Sequence, residues 1–429
     1  MAGPSETMEK NMKRATGFSL LELLVAMTVT LIILAATLSL FQTALQTNDS
    51  STQMSTMNGN LRSAMNLIVR DLLQAGQGIP NGGVPLPING SCKKINRPMP
   101  TGTATFPYGC ANPASAPNLP AVIPGSALGP VIPGPGGNAL SNPTLTAFPT
   151  ASANSDMVTM LYQDNNLVTN VILVNEQPVN NFLQTLTSTS MTFSPAVTVN
   201  NQNNGINVGD LFLVYGGGLY RYVVVTAISG QTATFAPTQD ALNLNQQPTG
   251  ASCGTITGTL CDLQAAGVPY GGTCTYAAGP PPTFTPDILH PSACSATAQR
   301  VLMVSYFLDA TTVINGQVVP RLMRQINMTT TPADCGTSSA PPVGCPASVA
   351  EVIEGLEFSY DYVNGAAPIT NQVSTPALPV GITDNQIRKV NLYIAGRSDT
   401  LLSPTEQYMR SNLATQVDIR SLAFVNRYQ

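Results

Sequence analysis

One carboxylate, Glu22, interrupts an otherwise apolar run of 24 residues from Phe18 to Phe41. Holding a carboxylate in hydrocarbon costs roughly 2.5–3.5 kcal/mol on insertion scales, so a residue kept there is expected to have a cationic partner. Gly17 stands immediately before the run, where an unhindered backbone suits a peptidase. Cleavage after Gly17 would free an α-amine on Phe18, and that amine is one such cation. These residues point to proteolytic processing and ion pairing.

The eight cysteines, Cys92, Cys110, Cys253, Cys261, Cys274, Cys294, Cys335 and Cys345, all follow the apolar run. An even number in an exported domain favours disulfides. Eight cysteines allow 105 connectivities. Proximity favours 92–110, 253–261, 274–294 and 335–345, each closing a loop for on the order of 3 kcal/mol. Crossed pairing within 253–294 competes with this scheme. Zinc is the alternative ligand chemistry, but there is no CxxC and the spacings match neither a ribbon nor a finger; no metal site is expected.

The single histidine, His290, excludes multi-His metal sites and most imidazole acid–base chemistry. No G-x-S-x-G element accompanies it, so a loop histidine is expected and no catalytic residue is assigned. Gly216-Gly217-Gly218 has neither a following helix nor a lysine and reads as a turn, not a phosphate loop. Asp164-Asn165-Asn166 and Asp384-Asn385 read as turns, not calcium ligands. Asn89-Gly90-Ser91 and Asn327-Met328-Thr329 are sequons whose use is not expected.

Only 9% of the 429 residues are charged, against about a quarter in an ordinary soluble domain. A net charge of −4 offers no basic face for nucleic acid. Such a charge-poor surface suits a secreted or assembled protein.

The apolar run, as a helix, spans about 36 Å, enough for a hydrocarbon core of about 30 Å. Lys10, Lys13 and Arg14 precede it and should keep the N-terminus cytoplasmic. The run is longer than the apolar region of a cleaved secretory signal, which leaves a plain signal anchor as the alternative. Beyond it, Leu61, Met65, Ile68, Leu72 and Ala75 repeat at helical spacing. Arg62, Asn66, Arg70 and Asp71 are expected off that stripe. Gly59 is a weak point, and Gly76 with Gly78-Ile79-Pro80 should end the helix. Residues 76–150 hold 15 of the 35 prolines and read as an extended loop.

From Asp156 onward strand signals dominate. Hairpins are expected from Asp210–Tyr215 to Leu219–Val225, with a third strand at Thr232–Phe235, and from Arg300–Leu308 to Val318–Ile326 around Asn315-Gly316. Further strands are expected at Leu356–Tyr362, Lys389–Ala395 and Gln416–Phe424, with Lys389–Ala395 half-buried by alternation.

Lys13-Arg14-Ala15-Thr16-Gly17-Phe18-Ser19-Leu20-Leu21-Glu22 resembles the signal of type IV prepilins and type II secretion pseudopilins. The resemblance implies cleavage after Gly17 by a prepilin peptidase, N-methylation of Phe18, and an assembly role for Glu22 toward a neighbour's α-amine. Arg300–Asp309, Pro320–Arg324, Glu354–Tyr360, Lys389–Ser398 and Ile419–Arg427 are similar to stretches of PilW-like minor pilins. The implied fold is α+β and pilin-like: a long N-terminal membrane and filament helix packed on an antiparallel β-sheet head with large loop insertions. The expected layout is a leader at 1–17, a helix at 18–78 with its membrane part at 18–41, a Pro/Gly-rich loop insertion at 79–150, and a β-rich head at 151–429 carrying a disulfide-bearing loop at 250–295; the Pro/Gly-rich stretch and that loop depart from the family's pattern. The implied role is a non-enzymatic minor pilin without cofactor. Its partners would be the peptidase, other minor pilins, the major pilin and the inner-membrane assembly platform. It would sit in a bacterial inner membrane with its head in the periplasm, then in the pilus. A J-type pseudopilin of type II secretion, an adhesin using the insertions, and a membrane-anchored enzyme are the competing readings.

Overall fold

No proline falls between Pro4 and Pro80, so nothing in that stretch removes a helical N–H donor. The computed structural model describes residues 19–132 apart from 87, 90–91, 99–107 and 110–117; 154–246 apart from 171–172, 175–176, 179–182, 194–198, 200–204, 217–218 and 238–239; 258–263 apart from 262; 297–328 apart from 315; 335; and 344–419 apart from 365–366, 373–382 and 403–406. One unbroken helix, α1 (Leu20–Gln74, 55 residues), occupies the proline-free stretch. At 1.5 Å per residue it is about 82 Å long. Ser19 caps it, its Oγ accepting from the Glu22 N–H at 3.1 Å. Gly59 does not break it. A Cβ there would meet nothing within 4 Å, so its cost is the roughly 1 kcal/mol of a helical glycine and no more.

Gly76 stops the helix in the left-handed region at φ 81. Its N–H donates to the Leu161 carbonyl at 2.8 Å, and the Gln163 N–H returns to the Gln77 carbonyl at 2.9 Å. The helix end is thereby sewn to the head.

The head holds two main antiparallel sheets. The first has seven strands: β1 (Val122–Gly125), β2 (Met157–Asn170), β3 (Leu211–Gly216), β4 (Leu219–Val224), β5 (Thr297–Asp309), β6 (Arg321–Ile326) and β7 (Ala347–Glu351). β5 is its spine. β2 runs along one edge, while β3 and then β6 share the other. The second sheet contains β8 (Ile353–Asn364), β9 (Ala367–Gln372), β10 (Ile387–Arg397) and β11 (Arg410–Asp418), in the order β9-β8-β10-β11. The chain passes between sheets at Val352, which adopts φ 55, a strained value for a β-branched residue.

The docked part of α1 lies on both sheets. Met57, Leu61, Ala64, Ile68, Leu72 and Ala75 form one core with Tyr162, Val304, Tyr306, Phe358, Leu392 and Ile394, among others. Met65 is only half-buried and Ala64 takes its place, because the centre of the stripe runs through Met57, Ile68 and Ala75. Gly396 lets the helix approach: a Cβ there would meet Leu61 Cδ2 at 3.1 Å.

Several expectations change. Thr232–Thr234 is a strand as expected, but it pairs with Ala227–Ser229 in a separate four-stranded sheet with Leu183–Leu186 and Ser190–Phe193. That sheet and β3–β4 enclose a second core around Phe193, Phe212 and Phe235. Residues 79–132 are not merely loop: Ile79, Val84, Ile95, Leu119 and Ile123 form a third core with Leu213, Val224 and Met303. Pro124 sits within β1, which among the described residues pairs only with β2, an edge position that needs no donor on the open side. Asp164 lies within β2, not in a turn. In β10, residues 390–394 are all buried instead of alternating. Asn391 is tolerated because its amide donates to Ser359 Oγ at 3.0 Å and accepts from Gln416 at 2.9 Å across the sheet.

Candidate functional site: the projecting helix and its anchor

From Ser19 to Asp49 every residue of the helix is exposed. Thirteen Leu, Ile, Val and Phe residues lie between Leu20 and Phe41, on all sides of the helix. Among the described residues α1 is the one helix long and apolar enough to cross a membrane. At 0.3–0.6 kcal/mol each, these thirteen contribute on the order of 4–8 kcal/mol toward insertion, which outweighs the single carboxylate. The threonines are compatible with hydrocarbon because each closes its own hydrogen bond. Thr28 donates to the Val25 carbonyl at 2.9 Å, Thr30 to Ala26 at 2.7 Å and Thr37 to Ile33 at 3.0 Å. Glu22 sits in the first turn, where the helix dipole favours a negative charge. Gly17 and Phe18, the expected cleavage and methylation residues, lie outside the described residues.

The anchor is a buried polar cluster that the sequence pattern missed. Asp71, expected off the stripe, is 1% exposed. It follows Ile68 by three and Ala64 by seven, the spacing of the buried face, so the signal was present and masked by its charge. Asp71 Oδ2 accepts from Tyr306 Oη at 2.6 Å and from Arg324 Nε at 2.8 Å. Arg324 also donates to Tyr162 Oη at 3.2 Å. Burial, with the Asp71 charge adding to it, pushes the Tyr162 phenol up to about 12, so it stays a neutral partner. The helix contributes Asp71, β2 Tyr162, β5 Tyr306 and β6 Arg324, so one cluster pins the helix to three strands of the first sheet. At the other end of the docked half, Gln53 Nε2 donates to Thr400 Oγ1 at 2.9 Å.

Two more clusters stiffen the head. Arg300 pairs with Asp164 at 2.6 Å and with Asp210 at 3.4 Å. Burial raises the Asp210 carboxyl to about 6 despite that partner. Glu354 holds Arg410 at 2.8 Å and Arg397 at 3.3 Å. Arg397 in turn lies over the Tyr408 ring, 4.0 Å from its centroid.

Cys335 and Cys345 are joined, with Cα atoms 5.4 Å apart. Cys261 is buried and disulfide-bonded. Cys92 opens a short strand, while Cys110, Cys253, Cys274, Cys294 and His290 lie outside the described residues. No cluster of three His, Cys, Asp or Glu side chains suited to a metal occurs among the described residues. Gly216 ends β3 opposite Leu219, as the turn reading expects. Asp384 begins a short 3-10 turn. The second sequon is built into the structure: Asn327 is buried at φ 55, and its Oδ1 accepts from the Met303 N–H at 3.0 Å.

The family model described as the prokaryotic N-terminal methylation motif matches residues 12–38. This is the type IV prepilin-like signal, and it supports the prepilin and pseudopilin superfamily. A signal of this type implies processing by a prepilin peptidase and assembly with pilus machinery, and the apolar helix is consistent with membrane anchoring. Neither a curated protein nor a solved structure matches the chain.

Proposed function

We propose that the chain is a PilW-like minor pilin, a non-enzymatic, low-abundance subunit that primes or caps a type IV pilus. One observation carries the reading. A 55-residue helix leaves its methylation-motif half bare and apolar on all sides, while its second half is seated in a large β head. A bare apolar helix is stable only in lipid or against other such helices. In this reading the leader is removed after Gly17 and Phe18 is methylated. The helix then leaves the inner membrane, with the head outside, to join the filament. Glu22, desolvated there, takes a neighbouring subunit's α-amine as its cation, which sets the register of packing. The segments similar to PilW-like proteins around 300–309, 320–324, 354–360 and 389–398 fall largely within β5, β6, β8 and β10, strands whose side chains share the helix's core or hold Asp71. That coincidence supports the finer assignment.

Two measurements test it. Counting copies per pilus should find few, because a head this bulky obstructs close packing along a shaft; stoichiometric incorporation would refute a capping role. Deleting the gene should abolish piliation and twitching. A selective loss of protein secretion would instead favour the J-type pseudopilin, which shares the signal.

A further inference from the structure

The third core does not close at its outer end. Where residues 78–80 leave the helix and cross the first sheet, they and the sheet face of β3, β4 and β5 enclose a cleft of about 220 Å3. Its wall is a row of cross-strand partners, since Tyr220 faces Tyr215 and Tyr215 faces Thr297. The rings of Tyr215 and Tyr220 lie 4.5 Å apart, tilted by 31°, and Tyr215 remains 37% exposed. Ile79 and Leu213 form an apolar floor. Gln299, the neighbour of Leu213 across the strands, also lines the cleft. Its Oε1 is buried out of reach of water, without a hydrogen-bond partner among the described residues, so a turn of the amide side chain must bring it to an occupant. An acceptor in that condition costs roughly 1–3 kcal/mol and is relieved by a donor that fits.

The lining fixes the chemistry of an occupant. Among the described residues no charged side chain lines the cleft, so an anion or a cation would be desolvated without compensation from them. The volume is below the roughly 300 Å3 of sites for drug-sized ligands, which limits the occupant to about one ring. An aromatic platform asks for an apolar ring face, and the Gln299 and Thr297 groups ask for hydroxyls at its edge. We propose that this cleft binds a neutral pyranose, either free or as the terminal residue of a glycan. The proposal is independent of the assembly reading, since binding in solution requires no filament.

The test uses the full chain solubilised in a zwitterionic detergent that carries no sugar. Saturation-transfer NMR is run with D-glucose, D-galactose and N-acetyl-D-glucosamine, each with its methyl β-glycoside. Transfer to ring C–H protons is expected for at least one sugar. Tyr215→Ala and Tyr220→Ala should each cut it about tenfold, as loss of a stacking contact implies. Tyr220→Phe should keep it, and Gln299→Ala should weaken affinity about fivefold. Glucose 6-phosphate should bind no better than glucose. A methyl glycoside that binds as well as its sugar identifies a glycan end; preference for the free sugar identifies a soluble ligand. No transfer from any of the three sugars overturns the proposal. So does transfer that survives both alanine variants in protein with an unchanged unfolding midpoint.

Discussion

The two halves of α1 are one continuous helix built to two rules. In the first half apolar residues occupy all sides and no polar stripe remains. In the second they return at steps of three and four, with Arg62, Asn66 and Arg70 outside and Asp71 brought inside. The first half has no partner among the described residues, whereas the second is held by packing and by an ion pair to the buried Asp71. Composition alone therefore separates a surface meant for other molecules from one meant for the head. Periodicity is what identifies the seat.

The sharpest way to break this contrast is at the anchor. Asp71→Ala leaves the part-buried Arg324 without its counter-ion and should destabilise the head by up to about 3 kcal/mol. Tyr306→Phe, which keeps that charge paired, should cost about 1 kcal/mol. Denaturant unfolding of the detergent-solubilised chain, followed by tyrosine near-UV dichroism, reads both; equal losses would mean that the ion pair is not the main term.

Packing is comparable in size. Leu61→Ala should cost about 2–5 kcal/mol, since Leu61 is fully buried against Gly396. Leu31→Ala, in the bare half, should leave the same transition within about 0.5 kcal/mol. If Leu31→Ala shifted head unfolding as much as Leu61→Ala, the division of the helix would be wrong.

A smaller, pH-dependent difference belongs to the head. Burial raises the carboxyls of Asp156, Asp210 and Asp240 from an ordinary 3.8 to about 6. Between those values the folded chain binds more protons than the unfolded one, so stability rises as pH falls from 7.5 toward 5. Thermal melts should show the midpoint increasing over that window, with Asp156→Asn removing part of the increase. A midpoint that falls throughout would show that paired carboxylates dominate instead.

The smallest effect is expected at the contact face. Gly396→Ala places a methyl about 3.1 Å from Leu61 Cδ2, which a flexible side chain can partly avoid, so about 1 kcal/mol is expected. The double variant with Leu61→Ala should recover part of that loss, since the Val352 carbonyl 3.2 Å away remains. Strict additivity would mean the two residues do not touch.

Much of this was legible in the chain itself. The proline-free stretch, Gly76 and most of the strand segments are local features, and the structure places them close to where local rules put them, although the last strand begins at Arg410 and not at the expected Gln416. What was not legible depends on distant pairs. Asp71 and Arg324 are 253 positions apart, and no short-range pattern announces that a charge on a helix has a partner waiting. Asp164 reads as a turn by residue type, yet Arg300 draws it into a strand. Residues 79–132 read as loop from their prolines, although Val84, Leu119 and Ile123 had a sheet face to cover. The half-burial expected for Lys389–Ala395 failed because Ser359, Asn391 and Gln416 satisfy one another across the sheet, which lets that face be buried too.

The most direct test of the account is the mass of the mature N-terminus. In the proposed function, the bare half-helix and Glu22 belong to a chain that begins at a modified Phe18. Intact-mass and N-terminal fragment analysis of protein recovered from membranes should find residues 1–17 absent and one methyl group on the Phe18 amine. An intact leader, or a terminus at any other residue, would contradict it.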